Sequence, residues 1–308
     1  MRILIELPTW LGDTVMVTPA IENLVDYYNE VEITLIGSFA SIEVLKNHPK
    51  VLKTKVFSKK YTSIYKITRE LGKFDYFFSF RGSFRSKVLK LFVLNTNKYQ
   101  YKRNKYQSSH QVEKYNHFIN ECLNTDFLPG NLNIDSNLKS YINKFPVVGF
   151  NPGASYGEAK RWYPEEFAVL GAKLSSQYNI VIFGGPGEEE IARDIEKLLV
   201  EKGVSNFENL AGKTSISELV NIISSLDLFI TGDSGPMHLA ASFRVPTVSI
   251  FGPTRDRETS QWMNDKSVIV KKKLDCQPCM KRVCPLKHHK CMNQIKAVDV
   301  LNAIDSLN

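Results

Sequence analysis

Residues 229–254 read FITGDSGPMHLAASFRVPTVSIFGPT, and the fold follows from how this stretch divides. An apolar run, Leu228 to Ile230, ends in Thr231-Gly232-Asp233-Ser234-Gly235-Pro236. Met237 to Phe243 has helical spacing, and a second apolar run, Val245 to Phe251, closes on Gly252-Pro253. The order is strand, tight turn, short helix, strand. Gly232 and Gly235 let the backbone come close to a ligand. Asp233 or Ser234 has the oxygen to cap the helix, and Pro236 suits its first turn. A helix N-terminus offered after a strand is an anion site, because its free N–H groups and its dipole favour phosphate. An ordinary strand-to-helix turn has the same local chemistry, so both readings stand at this point.

The same rhythm runs outward in both directions. Strands are expected at Ile3–Leu7, Val31–Ile36, Val51–Phe57 and Asp75–Phe80. Helices are expected at Val15–Tyr28, Ser41–Lys46, Ser63–Leu71 and Ser83–Val93. Asn124 to Phe145 loses the pattern and reads as a linker, with Pro129-Gly130 and Pro146 around it. The pattern restarts with a strand at Val147–Phe150, a helix at Pro164–Ser175, a strand at Ile180–Phe183 and a helix at Glu188–Lys202. Ile216–Ser224 and Ala297–Leu307 are the remaining helices. Alternation of this kind predicts an α/β chain with parallel sheets covered by helices on both faces. Two such halves imply two domains, 1–145 and 146–296, followed by a terminal helical segment, 297–308.

At 308 residues and 43% hydrophobic, the chain can bury two cores. MRILIELPTWLGD reads as a first strand and carries no cleavage-site pattern, and no apolar run reaches the ~18–20 residues of a membrane span. A cytoplasmic protein is expected. The formal charge of +8 favours an anionic partner. Between Tyr76 and Val112 lie eight cations and no acid: Arg81, Arg85, Lys87, Lys90, Lys98, Lys102, Arg103 and Lys105. Phe84, Tyr99, Tyr101 and Tyr106 interleave them, as on a surface that meets nucleic acid, sugar or lipid headgroups. A solvated basic face would look the same.

Four loops follow expected strands, where ligands gather in open α/β sheets. The first, Pro8 to Asp13, ends in Gly12 and a carboxylate that is either a helix cap or a general base. The second, Asn151 to Trp162, carries Gly153 and leads to Lys160, a point charge suited to phosphate. The third, Gly184 to Glu189, lacks the Rossmann glycine fingerprint but offers Glu188 to a ribose diol. The fourth is the opening stretch. Three of the four lie in the second half, so a phosphorylated donor is expected there.

Cys276, Cys279, Cys284 and Cys291 are spaced C-x2-C-x4-C-x6-C among lysines and histidines. Structural zinc is one reading and reduced thiols with packing roles another, while a disulfide is the poorer fit to a cytoplasmic protein. Cys122 reads as a core residue. Three functions are therefore weighed: a transferase, a zinc-ribbon nucleic-acid binder, and a sugar-nucleotide epimerase of the same fold.

The pieces together resemble glycosyltransferase family 9, the heptosyltransferases of lipopolysaccharide core synthesis. The resemblance rests on ILIELPTWLGDTVMVTPAI, NPGASYGEAKRWYPEEF, GGPGE, GDSGPMHLAASFRVPTVSIFGPT and CQPCMKRVCPLKHHKCM, in this order. The opening and the cysteine-rich tail look more like the second heptosyltransferase than the first. The resemblance implies a GT-B architecture of two Rossmann-like domains facing across a cleft, with the C-terminal helix packing back on the first. It implies inverting transfer from ADP-heptose to a lipid A-linked core oligosaccharide, with no cofactor, no catalytic metal, no nucleic acid, and peripheral contact with the inner membrane. By carry-over, Asp13 matches the general base and Lys160 the lysine facing the diphosphate. Gly153 belongs to the lysine's loop, Glu188 matches the ribose contact, and Asp233, Ser234, Gly235, Pro236, Met237 and His238 match the donor motif. Ser83, Arg85 and Ser86 stand on the acceptor side.

Overall fold

The computed structural model describes residues 1–57, 62–94, 97–106, 109–135 and 145–307. The chain forms two compact units, Met1–Asn137 and Leu138–Asn308. The expected domain boundary, between 145 and 146, adjoins a segment, 136–144, that lies outside the described residues.

The first unit runs β1 (Arg2–Glu6), α1 (Leu11–Met16), α2 (Thr18–Tyr28), β2 (Glu32–Gly37), α3 (Phe39–Leu45), β3 (Val51–Val56), α4 (Thr62–Leu71), β4 (Tyr76–Ser79), α5 (Phe84–Phe92), β5 (Asn97–Gln100) and α6 (Gln111–Leu123). Its sheet has the order β3-β2-β1-β4-β5, with every pairing parallel. Two helices stand where one is expected at Val15–Tyr28, because the chain turns at Val17 and Pro19 starts the second. The helix α6 contains Cys122, which the sequence places in a helix whose bounds it does not give. Its N-cap is His110, whose Nδ1 accepts the N–H of Val112 while Glu113 accepts the N–H of His110. Histidine is not among the usual capping residues, so the start signal is easy to pass over.

The expected linker is only partly one. Residues 125–135 run without helix or strand, yet side-chain amides tie them to the first unit. Asn116 and Asn120 donate to the carbonyl of Phe127, Asn23 donates to that of Leu128, and Asn133 donates to Glu22. Leu132 and Ile134 are buried.

The second unit runs β6 (Val147–Asn151), α7 (Pro164–Leu174), β7 (Asn179–Ile182), α8 (Glu189–Glu201), β8 (Phe207–Asn209), α9 (Ile216–Ser224), β9 (Leu228–Gly232), α10 (Gly235–Ser242), β10 (Thr247–Ile250), α11 (Asp256–Thr259), β11 (Ser267–Val270), α12 (Lys290–Asn293) and α13 (Ala297–Asp305). The sheet order is β11-β10-β9-β6-β7-β8, again all parallel. Every residue of β6, β9 and β10 is buried, as expected of strands covered on both faces. Strand order reverses between β6 and β9, and at such a switch point the loops diverge and leave a crevice for ligand.

The last helix buries Ala297, Val300 and Ala303 in the core of the second unit, against α7, β10 and β11. Its apolar stripe is used there.

The middle of β6 contains Gly149. A Cβ at this position would stand 2.6 Å from Leu226 and 2.8 Å from the rings of Phe183 and Phe229. Overpacking of this kind costs about 1–3 kcal/mol. Gly149→Ala is therefore expected to lower the urea midpoint of the second unit, with secondary structure by circular dichroism retained. An unchanged midpoint would show that the three neighbours repack freely.

Candidate active site

At the switch point, the carboxyl ends of β6 and β9 bring two loops together. Lys160 ends the loop after β6, and Asp233 follows β9 directly. The Lys160 Nζ lies 2.6 Å from Asp233 Oδ2 and donates at 3.0 Å to the Asp233 carbonyl. Both side chains are largely buried, at 11% and 7% exposure. Thr254, beyond β10, donates to the same Oδ2 at 2.7 Å. The Lys160 ammonium also stands 4.8 Å from the centroid of the Tyr156 ring. Beneath this pair Asn151 donates to Thr231 and Ser234, each at 3.1 Å.

Neither oxygen expected to cap α10 does so. Ser234 holds the N-cap position, but its hydroxyl goes to Thr231 and Asn151, while the Asp233 carboxylate goes to Lys160 and Thr254. The N-cap side chain therefore makes no capping bond to the first turn of α10. Ser234, Gly235 and Pro236 are half-buried, whereas Met237 and His238 are buried within the unit.

After the neighbouring strand β7, Glu188 precedes α8. Its carboxylate accepts the N–H of Gly185 at 2.8 Å and lies against Gly153 in the loop of Lys160. A Cβ on Gly153 would fall 2.1 Å from Glu188 Oε2.

In the first unit Asp13 sits in the first turn of α1, after β1. The N-cap is Trp10, which has no capping oxygen, so Asp13 lies inside the helix and not at its cap. Tyr115 of α6 donates to Asp13 Oδ1 at 3.2 Å. Burial, and then the charge of Asp13, push the Tyr115 hydroxyl well above its usual range. It therefore stays a donor.

Ser83, Arg85 and Ser86, expected on the acceptor side, have internal partners. Ser83 caps α5 by accepting the N–H of Ser86, and the Ser86 hydroxyl donates to Glu6 at 3.0 Å. Arg85 stacks 4.2 Å over the ring of Phe57. Glu6, at the end of β1, is fully buried and accepts from Ser79 at 2.5 Å, with Arg81 3.7 Å away. Burial raises its carboxyl above the usual range, against the pull of Ser79 and Arg81. Nothing in the alternation of β1 marks Glu6, since it ends a run that is otherwise apolar.

The four clustered cysteines line one small cavity, with no disulfide among them. Among the described residues no group of three or more His, Cys, Asp or Glu is arranged to hold a metal ion. Backbone N–H groups, that of His289 foremost, lower the Cys284 thiol, while burial pushes Cys291 up to about 11. Cys122 is half-buried, and burial pushes its thiol up to about 12.

Residues 69–290 match the family model of glycosyltransferase family 9 (heptosyltransferase). The chain belongs to that family. It is 40% identical to lipooligosaccharide heptosyltransferase 2 of Campylobacter jejuni serotype O:2, over 100% of this chain and 98% of that one. It is 36% identical to the Haemophilus influenzae lipooligosaccharide heptosyltransferase 2 over 42% of this chain and 38% of that one. The solved structure of Escherichia coli ADP-heptose LPS heptosyltransferase II has the same fold, with a TM-score of 0.83 and 22% identity. That match covers 100% of this chain and 98% of that one, and places the fold in the GT-B class. Membership displaces the nucleic-acid reading, which needed the cysteines as a zinc ribbon.

Within the second unit of this glycosyltransferase, the fold gathers Lys160, Asp233 and Ser234 into one network and Gly153 with Glu188 into another. Sequence reasoning missed Asn151, Thr254 and Tyr156 as members of the first. Asn151 and Thr254 were visible only as residues next to a glycine or proline at a strand end. Gly153→Ala is expected to displace the Glu188 carboxylate and to lower stability by about 1–3 kcal/mol. Thermal unfolding of the single variant and of Gly153→Ala/Glu188→Ala reads this: the smaller partner should restore much of the loss. No restoration would mean that the clash lies elsewhere.

Proposed function

We propose that this heptosyltransferase moves L-glycero-D-manno-heptose from ADP-heptose to a heptosyl-Kdo-lipid A acceptor, in inner-core synthesis of lipopolysaccharide or lipooligosaccharide. The buried Lys160–Asp233 pair beside the first turn of α10 carries the reading. Transfer leaves ADP, and negative charge on its diphosphate grows as the glycosidic bond breaks. A fixed ammonium and a helix N-terminus stabilise such charge without reorganising. The carboxylate of Asp233 holds the ammonium in place and does not face the phosphates itself. Glu188, braced by Gly185 and Gly153, is the candidate for the ribose hydroxyls.

Asp13 is assigned the acceptor side. It takes the proton of the attacking hydroxyl as that oxygen reaches the anomeric carbon, giving inversion. Tyr115 orients the carboxylate through Oδ1. Ser83, Arg85 and Ser86 act on the acceptor through the shape and charge of the start of α5, given that their own bonds are internal.

The acceptor is lipid-linked, and α5 suits a membrane surface. Phe84 and Leu91 are 71% and 76% exposed, and Lys87 lies on the same side of the helix. Aromatic, aliphatic and basic residues together favour an anionic interface. Among the described residues no helix is long and apolar enough to cross a membrane. Peripheral contact with the cytoplasmic face of the inner membrane follows from this reading.

Two substitutions test it. Lys160→Ala should weaken ADP binding in titration calorimetry by about 1.5–3 kcal/mol, the worth of a charged hydrogen bond, and should slow transfer. Unchanged affinity and rate in a folded variant would remove Lys160 from the site. Asp13→Asn should lower transfer about 10²–10⁴-fold, the usual loss of a general base, with ADP affinity kept. A rate close to the parent's would sink the base assignment.

A further inference from the structure

The peptide that leads into Lys160 is held at both ends by a distant part of the chain. Ala159 donates its N–H to the carbonyl of Arg282 at 3.0 Å, and its own carbonyl lies 3.0 Å from His289 Nε2. Two more contacts join the same pieces. The Tyr156 hydroxyl donates to the Met280 carbonyl at 2.8 Å. Gly157 passes so near Arg282 that a Cβ there would stand 2.4 Å from the arginine carbonyl oxygen.

His289 is the best fixed of these partners. It adopts a left-handed backbone, with φ of +47°, and begins α12, its carbonyl accepting from Met292 and Asn293. Its N–H points at Cys284 Sγ at 3.4 Å, and its Nδ1 lies 3.0 Å from the Tyr163 hydroxyl. A carbonyl oxygen can only accept, so Nε2 carries the proton that reaches Ala159. In the neutral ring Nδ1 then accepts the Tyr163 O–H, which burial keeps protonated. One tautomer satisfies both contacts.

The Ala159 carbonyl and the Lys160 N–H belong to one planar unit, so fixing that carbonyl fixes the direction in which the lysine leaves the backbone. The other side of the same plane is held by Gly157, whose carbonyl accepts the Lys160 N–H at 3.2 Å. We propose that His289 is a positioning residue for the transfer, setting where the Lys160 ammonium stands through its hydrogen bond to the Ala159 carbonyl. The cysteine-rich segment is the base from which it does so. This rests on the reading of Lys160 as the group that meets the leaving diphosphate.

The test is a mutant cycle on the full chain, read with ADP-heptose kinetics and ADP affinity. His289→Asn tolerates the left-handed backbone, but its shorter amide does not reach Ala159. His289→Gln places an amide N–H about where Nε2 stands. His289→Asn should lower kcat/KM for the donor on the order of 10–100-fold, the scale of an ångström's misplacement, and leave the acceptor KM unchanged. His289→Gln should recover most of that loss. In a Lys160→Ala background His289→Asn should cost nothing further, because its effect passes through the lysine. Additive losses, equal losses on donor and acceptor, or parent-like kinetics overturn the proposal. A silent Lys160→Ala overturns the lysine reading and this one together, whereas a costly Lys160→Ala with an additive His289→Asn overturns this one alone. If His289→Asn does not fold, His289→Ser, which also has no group that reaches the Ala159 carbonyl, is read in the same cycle, where parent-like donor kinetics again overturn the proposal.

Discussion

The second unit is organised around an ion pair that water barely reaches. Removing a lysine and an aspartate from solvent costs several kcal/mol for each ion unless the pair is close and its remaining polar atoms are met. Here the distance is 2.6 Å, Thr254 supplies a second donor to the same oxygen, and the Asp233 carbonyl takes another of the ammonium's protons. Three loops, after β6, β9 and β10, must therefore hold their shapes together. Loss of one partner leaves the other charged and buried, a penalty larger than the net worth of the pair. That constraint explains why so many short backbone contacts converge on 151–160 and 252–254.

The first unit uses the same topological place for a different chemistry. Asp13 follows β1 as Lys160 follows β6, and it accepts from the hydroxyl of Tyr115. The neutral hydroxyl orients the carboxylate through Oδ1. Because burial keeps Tyr115 protonated, that hydroxyl remains a donor to the carboxylate.

The sequence made the frame legible and left the wiring hidden. Apolar runs such as Val147–Phe150 and Leu228–Ile230 announce buried parallel strands, and the glycine-bearing loops after them announce a ligand edge. Contacts between residues far apart in the chain leave no local signal. Tyr115 reaches Asp13 across 102 positions, and His289 reaches Ala159 across 130. Glu6 is hidden for the opposite reason, since its neighbours Ile5 and Leu7 make it look like one polar residue at a strand end. The capping role expected of Asp233 or Ser234 fails because Asp233 meets Lys160, 73 residues away in sequence, and the Ser234 hydroxyl meets Asn151 and Thr231. Residues 125–135 looked like a linker because their bonds run through side-chain amides, which hydrophobic periodicity does not register.

On the proposed reading of Lys160 as the group that meets the diphosphate, an acidic partner beside it looks self-defeating, and the proton count resolves it. A lysine ammonium has three N–H donors. Asp233 takes two of them, one at its carbonyl and one at Oδ2. The third is left for a ligand, and Tyr156 lies beneath the charge without competing as a strong acceptor. With two donors committed, the third has a fixed direction, and on that reading a diphosphate oxygen arriving there would meet an ammonium that need not reorient. The carboxylate weakens the field of the lysine, but it removes the rotational freedom of a four-carbon stem, and in a site that must stabilise charge as it develops, fixed direction counts for more than raw charge. Lysine fits this task better than arginine, whose planar fork would set its donors in one plane and could not place two on Asp233 while aiming one away.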